Sequence, residues 1–185
     1  MTIYYTGVGS RETPGDILNL MRDFGEAFAK RGWVLRSGAA DGADQAFEEG
    51  AKRDRMTAHN MEIYLPWPKF NGHGSTLHLV HGDSHGRAAE IAASVHPRWN
   101  KLSPAVRNLH MRNVYQVLGR DLATPSMFLV CWTPDGCESK AERTEFTGGT
   151  GTAIELAYNY HVPIFNLANK GRLSQLYGLL QVSAH

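Results

Sequence analysis

Long apolar runs, cysteine and an excess of charge of either sign are all scarce in this sequence of 185 residues. No apolar stretch approaches the roughly 20 residues that a helix needs to cross a bilayer, and the first residues lack a basic-then-apolar leader. Two cysteines, Cys131 and Cys137, are too few for a disulfide framework and lack CxxC spacing. A formal net charge of +1 gives no strong signal for nucleic acid, although it does not report how charge is distributed. We therefore expect a cytoplasmic protein without a membrane segment.

Glycine, by contrast, is concentrated in turns that follow apolar segments of strand length. Three such turns precede helix-like segments, and they read GVGSR at 7–11, SGAADGAD at 37–44 and TGGTGT at 147–152. The first amides of a helix have no intrahelical partner, and together with the helix dipole they attract anions such as phosphate. The three turns together predict a phosphorylated ligand, a nucleotide above all.

Strand-like and helix-like segments alternate along the chain. This pattern predicts a single doubly wound α/β domain over residues 1–185, with a mainly parallel sheet and helices on both faces. Thr13 and Asp41 are predicted to cap the first two helices, and Ser103 the fourth. Strands are predicted at 3–8, 33–36, 62–65, 127–132 and 162–165, and helices at 13–31, 41–53, 86–96, 103–119, 152–160 and 172–181.

Two stretches interrupt the alternation, a long loop at 66–85 and an insert at 133–146. Loops of that length are uncommon in compact domains and are often functional. Zinc ligands usually show tighter paired spacing than the histidines of the first loop, so we expect no metal and no cofactor, and phosphate or base contacts or simple exposure remain open for them. The residues concerned are His73, His78, His81, Asp83 and His85.

The third glycine turn carries the densest set of candidate ligand contacts. Its glycines let the backbone approach a ligand closely, and its threonines add hydroxyl donors. Glu155 follows in the first turn of the next helix, where it suits a sugar hydroxyl or a water, or merely favours the dipole. The candidate phosphate contacts are Gly148, Gly149, Thr150, Gly151 and Thr152.

Other candidates lie outside that turn. Arg112 offers a planar fork for phosphate or carboxylate, with a solvated helix arginine as the alternative. Ser37 and Gly38 stand where a parallel strand ends, the usual ligand edge, whereas Asp41 and Asp44 suit either a ligand or the helix start that follows, which accounts for both without a ligand. Trp67, Phe70, Trp99 and Trp132 suit either base stacking or the core, and Arg98 beside Trp99 adds a cation to an aromatic ring.

Two families are similar to this chain in particular motifs. LHMRN at 109–113, followed by an apolar strand and GGTGTAIE at 148–155, resembles the signature of the "lonely guy" phosphoribohydrolases, which hydrolyse the N-glycosidic bond of nucleoside 5′-monophosphates. GVGSRETP at 7–14, SGAADGADQAFEEGA at 37–51 and the Arg112–Asn113 pair resemble the DNA-processing protein A family of recombination mediators. Both families belong to one Rossmann-like superfamily of nucleotide and nucleic-acid binders.

The resemblance implies roles for particular residues. Arg112 and Glu155 match the catalytic arginine and glutamate of the phosphoribohydrolases, residues 148–152 match their phosphate loop, and Gly9, Ser10 and Arg11 match their first nucleotide-contacting turn. The chain departs from the family at Thr147 (proline there), at Asn113 (lysine there) and in the fourteen residues of the insert.

The predicted function is therefore hydrolysis of the N-glycosidic bond of a nucleoside 5′-monophosphate or a related nucleotide. The alternative is a non-catalytic protein that binds a nucleotide signal or single-stranded DNA. The resemblance also implies a homo-oligomer. No membrane partner is expected.

Overall fold

The computed structural model describes residues 2–54, 56–78 and 84–182, so the candidate ligands His81 and Asp83 lie outside the described residues. Within these residues, five parallel strands form one sheet in the order β3-β2-β1-β4-β5. The strands are β1 Tyr4–Gly7, β2 Val34–Ser37, β3 Met61–Ile63, β4 Phe128–Cys131 and β5 Ile164–Asn166.

Six α-helices connect and cover these strands within the described residues. They are α1 Gly15–Ala29, α2 Ala43–Arg53, α3 His85–Val95, α4 Pro104–Leu118, α5 Thr150–Asn159 and α6 Arg172–Val182. The predicted doubly wound, Rossmann-like α/β fold is confirmed, with the ends of individual elements shifted. None of the helices described is long and apolar enough to cross a membrane.

Alternate residues of β4 supply the two cores on either side of the sheet. Phe128 and Val130 pack into a cluster with α1, α2 and α6, whereas Leu129 and Cys131 pack into a second cluster with α3, α4 and α5. All four side chains are buried, as expected for a central strand covered on both faces. This double burial explains why the strand reads as a continuous apolar run in the sequence.

The caps of the first two helices differ from the prediction. Pro14 stands at the N-cap of α1, and the Thr13 hydroxyl instead donates to the Ser10 carbonyl at 2.6 Å, which ties the turn after β1 together. Gly42 occupies the N-cap of α2, because the backbone there has a φ of 84° that favours glycine. Asp41 lies outside that helix. Ser103 caps α4 as predicted, accepting from the Val106 amide at 3.4 Å.

Strand order creates a crevice between β1 and β4. The chain runs outward from β1 to β2 and β3 and then returns to β4 on the other side of β1. The loops that leave the carboxyl ends of these two neighbours therefore diverge toward opposite faces of the sheet. Ligands of open α/β sheets bind at such a switch point.

The insert at 133–146 is a folded segment with two short 3-10 helices, Lys140–Glu142 and Glu145–Thr147. Asp135 accepts hydrogen bonds from the hydroxyls of Thr144, at 2.6 Å, and Thr147. Burial would raise the pKa of Asp135, but these hydrogen bonds outweigh it and lower the pKa to about 2. Glu138 pairs with Arg172 at the start of α6, which fastens the insert to that helix.

Candidate functional site

Two adjoining clefts open at the carboxyl edge of the sheet. The switch-point cleft, about 430 Å³, lies between the turn at 9–12 and the start of α5, and the histidine cleft, about 610 Å³, lies between the end of α3, the insert and α5. His110, Gly148 and Gly149 line both. Volumes of this size suit small-molecule ligands.

Gly148 and Gly149 form the wall that separates the two clefts. A Cβ built on either residue would meet nothing within 4 Å, and Gly148 has a φ of +59° that L side chains rarely adopt. The Gly149 carbonyl accepts a hydrogen bond from the side-chain Nδ2 of Asn113 at 3.0 Å, which fixes the turn to α4. The turn therefore presents open backbone at a helix N-terminus, as the sequence predicted.

Three other predicted contact glycines are in close internal contact. A Cβ on Gly9 would lie 2.7 Å from Ala43 Cβ, one on Gly38 2.6 Å from Arg112 Cδ, and one on Gly151 2.5 Å from Arg143 Nε. Of these only Gly9 also lines the switch-point cleft. Internal packing thus accounts for the absence of a side chain at all three positions.

Arg112 lies at the floor of the switch-point cleft, on α4. Its Nη1 donates to the Gly38 carbonyl at 2.6 Å, its Nη2 to Asn113 Oδ1 at 3.3 Å, and its guanidinium stands 5.8 Å from the centre of the Phe70 ring. Asp44 Oδ2 is 4.0 Å from Nη1. The fork therefore holds the loop after β2 in place while one edge faces the cleft.

Buried polar atoms at this floor have no partner. Among the described residues, Arg112 Nε and Gln116 Oε1 are buried without a hydrogen bond, and both residues line the switch-point cleft. Burial raises the pKa of Asp44 beside them, against the opposing charge of Arg112. An orphaned donor and an orphaned acceptor each cost about 1–3 kcal/mol, and both atoms lie beneath the lining of the cleft, out of contact with solvent.

Ser37 lies beneath the cleft. Its hydroxyl donates to the Gly7 carbonyl at 2.7 Å, and the neighbouring Gly38 amide donates to Asp44 at 3.1 Å. Neither residue lines either cleft. Through these hydrogen bonds, Ser37 connects β2 to β1 and Gly38 connects the end of β2 to α2.

The first turn supplies the opposite wall. Ser10 and Arg11 line the switch-point cleft, and the Ser10 hydroxyl accepts from the Glu12 amide at 3.1 Å. The Arg11 side chain is exposed at the mouth. Thr150 lines the cleft from α5, whereas Thr152 is buried and its hydroxyl lies 2.8 Å from His110 Nδ1.

Glu155 lines the histidine cleft, so the structure does not place it in one cleft with Arg112. Glu155 as a whole is 2% exposed, and its carboxylate pairs with Arg143 Nη1 and Lys140 Nζ, each at 3.0 Å. Both cations come from the insert. The sequence resemblance did not predict these two partners. They lie in the insert, which the phosphoribohydrolases do not share, 15 and 12 residues before Glu155.

His110 is the polar ring shared by the two clefts. Burial, with smaller contributions from His96, Arg143 and Arg112, lowers its pKa to about 4. The ring is therefore uncharged at neutral pH, and it packs against His96 with centroids 4.3 Å apart. It can donate or accept one hydrogen bond toward a ligand without adding charge.

The aromatic residues considered for base stacking lie in the core or at its edge. Phe70 is buried, and Trp67, Trp99 and Trp132 pack against core clusters. The guanidinium over the Trp99 ring belongs to Arg107, at 5.4 Å, whereas Arg98 lines the histidine cleft. The aromatic ring at the cleft mouth is Phe146, 65% exposed, which sequence reasoning missed because it ends the insert without periodicity.

No group of three histidine, cysteine or carboxylate residues within the described ranges is placed to hold a metal ion. His73 instead lies 2.7 Å from Glu48, with its other ring nitrogen accepting from the Ser75 amide at 3.0 Å.

Comparison with known proteins adds one structural likeness. A solved structure describing the single-stranded DNA binding mode of DNA processing protein A from Helicobacter pylori is similar to the chain, with 13% identity and a TM-score of 0.41, over 97% of this chain and 81% of that chain. No protein-family model matches the sequence, and no curated protein matches it. Likeness at this level transfers neither a ligand nor an activity.

Proposed function

We propose that this protein binds a nucleotide at the carboxyl edge of its sheet, with a phosphate at the turn formed by Gly148 and Gly149. The observation that carries the proposal is that this turn has open backbone on a cleft at the switch point of the sheet. The sugar and base would then lie in the switch-point cleft, toward Phe146.

The floor and mouth of the cleft support a nucleotide over a simple anion. Arg112 and Gln116 line the floor, and rotation of these side chains would bring the unpartnered Arg112 Nε and Gln116 Oε1 to the polar edge of a base or a sugar hydroxyl as one donor and one acceptor. Phe146 and Val106, both exposed at the mouth, supply apolar surface for a flat ring. Asp44 and Glu12 on the same lining make the cleft less suited to a ligand that is phosphate alone.

The test is the Gly149→Ala variant, titrated with a panel of nucleoside 5′-monophosphates by calorimetry and thermal shift. A methyl group at this residue meets no neighbour and the backbone is helical, with φ −64° and ψ −24°, so the fold is expected to be intact. We expect the affinity to fall at least about tenfold, because the methyl group stands where the phosphate approaches. Gly178→Ala on α6, equally unobstructed, is the matched control. Failure of every nucleotide to bind the wild type would refute the proposal.

Hydrolysis of the N-glycosidic bond is the second candidate function. Glu155 is the candidate residue for it, because it lines a cleft that shares Gly148 and Gly149 with the proposed phosphate site. In this case the sugar would enter the histidine cleft instead of the switch-point cleft and would displace the exposed Lys140 from the carboxylate. A fixed carboxylate stabilises the positive charge that the sugar ring develops as the base leaves. Chromatography for free base should then show release by the wild type and none by Glu155→Gln, with nucleotide binding retained.

Single-stranded DNA is the alternative ligand for the same edge of the sheet. If it is the ligand, gel shifts with short oligonucleotides should weaken steeply as salt rises, because phosphate contacts release counterions. Mononucleotide binding would change far less over the same salt range. A homo-oligomer stays a prediction, to be checked by light scattering.

A further inference from the structure

We infer that the histidine cleft receives a second phosphate of the same ligand, so that the preferred ligand class is a dinucleotide or a nucleotide phosphorylated at both ends. This inference rests on the proposed function, in which the first phosphate binds at Gly148 and Gly149. Its basis is a separate cation-lined chamber that adjoins the switch-point cleft.

The histidine cleft has one cation without a counterion among the described residues. Arg98 lines it with an exposed side chain, and within the described part of the chain that side chain makes no hydrogen bond or ion pair. Trp99, the neighbour that would be expected to hold its guanidinium, is covered by Arg107 instead. Arg98 is therefore free to meet a phosphate with its planar fork.

The other cations are only partly used. Arg143 Nη1 donates to Glu155 Oε2 at 3.0 Å and to the Val95 carbonyl at 3.2 Å, which fixes the guanidinium and leaves further donors on its fork. Lys140 pairs with Glu155 through a side chain that is 71% exposed, so its ammonium can shift to a ligand at little cost. With Glu145, the lining holds three cations against two carboxylates.

The two clefts share a neutral partition. His110 and the Gly148–Gly149 turn line both, and His96 packs against His110, with the ring planes 58° apart, on the side of the histidine cleft. A chamber of about 610 Å³ is larger than a lone phosphate requires and suits a nucleotide-sized group. A ligand that extends from the switch-point cleft across His110 would therefore carry its second phosphate to Arg98.

The experiment compares a nucleoside 5′-monophosphate, a nucleoside 3′,5′-bisphosphate and a 5′-phosphorylated dinucleotide, each titrated into wild type, Arg98→Ala and Arg120→Ala. Arg120 is an exposed arginine after α4, away from both clefts, and serves as the control. We expect the wild type to bind at least one of the two doubly phosphorylated ligands about tenfold or more tighter than the monophosphate. Arg98→Ala should remove most of that advantage and leave monophosphate affinity unchanged, while Arg120→Ala should change nothing.

The outcomes separate this inference from the proposed function. Monophosphate binding that is sensitive to Gly149→Ala, with no advantage for a second phosphate or one that survives Arg98→Ala, overturns the inference and leaves the proposed function standing. Absence of binding by all three ligands overturns both. A 5′-phosphorylated trinucleotide and tetranucleotide extend the same titration, and affinity that continues to rise with each nucleotide beyond two overturns the inference in favour of a nucleic-acid strand.

Discussion

Arg143 donates a hydrogen bond from Nη1 to Oε2 of Glu155 at 3.0 Å. The pair joins the insert to the middle of α5, because that helix begins at Thr150 and Glu155 lies beyond the predicted first turn, and Arg143 also reaches the Val95 carbonyl at the end of α3. The insert thereby holds a buried carboxylate in place and closes one side of the histidine cleft. This relationship can be tested apart from any ligand, because its loss leaves a buried charge short of a partner.

Arg143→Ala is expected to lower the free energy of unfolding by about 1–3 kcal/mol, since Glu155 keeps only the exposed Lys140 as a partner. Urea denaturation measures the change. Lys140→Ala provides the comparison, and because that lysine is 71% exposed its loss should cost at most about 1 kcal/mol. Equal stability of the two variants would contradict the assignment of Arg143 as the main partner of Glu155.

Gly151→Ala is expected to lower the free energy of unfolding in the wild-type background but not in the Arg143→Ala background. A Cβ at residue 151 would lie 2.5 Å from Arg143 Nε, so the guanidinium must move away from Glu155. In an Arg143→Ala background the same change becomes neutral or stabilising by about 0.5–1 kcal/mol, because alanine replaces glycine inside a helix. Urea denaturation of the two single variants and the double variant measures this. Additive costs would show that Gly151 is needed for some other reason.

Much of the fold could be predicted from sequence because its signals are local. The apolar run of β4 and the helical spacing from Ile17 to Phe28 each correspond to an observed element. Ser103 before Pro104 marks a helix start that the structure reproduces. Thr13 and Asp41 carry the same kind of signal, yet tertiary contacts of the turn after β1 and a positive φ at Gly42 decide those helix starts.

The candidate site was predictable only in part, for a physical reason. Gly148 and Gly149 are predicted to form open backbone at a helix start, and the structure leaves both residues open, while their contact with a phosphate stays a prediction. Gly38 and Gly151 give the same sequence signal, but each instead accommodates an arginine that is distant in sequence. Contacts such as Arg143 with Glu155 depend on how an irregular segment folds back, which residue spacing does not encode.

A third prediction concerns pH. Because burial lowers the pKa of His110 from the ordinary 6.5 to about 4, the unfolded chain takes up a proton at this residue before the folded protein does. The contribution of His110 to stability is therefore fully present above about pH 6.5 and is lost progressively as pH falls toward about 4. His96, whose pKa burial also lowers, adds to the same slope.

His110→Gln should flatten this dependence, because glutamine can still hydrogen-bond to Thr152 and does not titrate. Urea denaturation at about pH 7 and about pH 5 gives the difference for each protein, and the variant should lose less stability between them than the wild type. The control is His59→Gln at an exposed histidine, and this variant should show the same change of stability with pH as the wild type. An unchanged slope in His110→Gln would mean that the ring is not held neutral by the fold.

The last prediction assigns a ligand contact to Phe146. Its ring is 65% exposed at the mouth of the switch-point cleft, two residues before Gly148. If a base stacks on this ring, Phe146→Ala removes about 1–3 kcal/mol of binding free energy, or about 5- to 150-fold in affinity. Ribose 5-phosphate, which has no base, should bind the variant and the wild type alike.

Tyr158→Ala is the matched control for this change, because Tyr158 is 55% exposed and lies near the far end of α5. Calorimetric titration of the three proteins with a nucleoside 5′-monophosphate and with ribose 5-phosphate separates two roles for the phenyl ring. Loss of affinity for the nucleotide alone assigns Phe146 to the base. Equal loss for both ligands would show that the ring only supports the Gly148–Gly149 turn. Both ligands carry the phosphate that this turn is proposed to bind, whereas only the nucleotide carries a base.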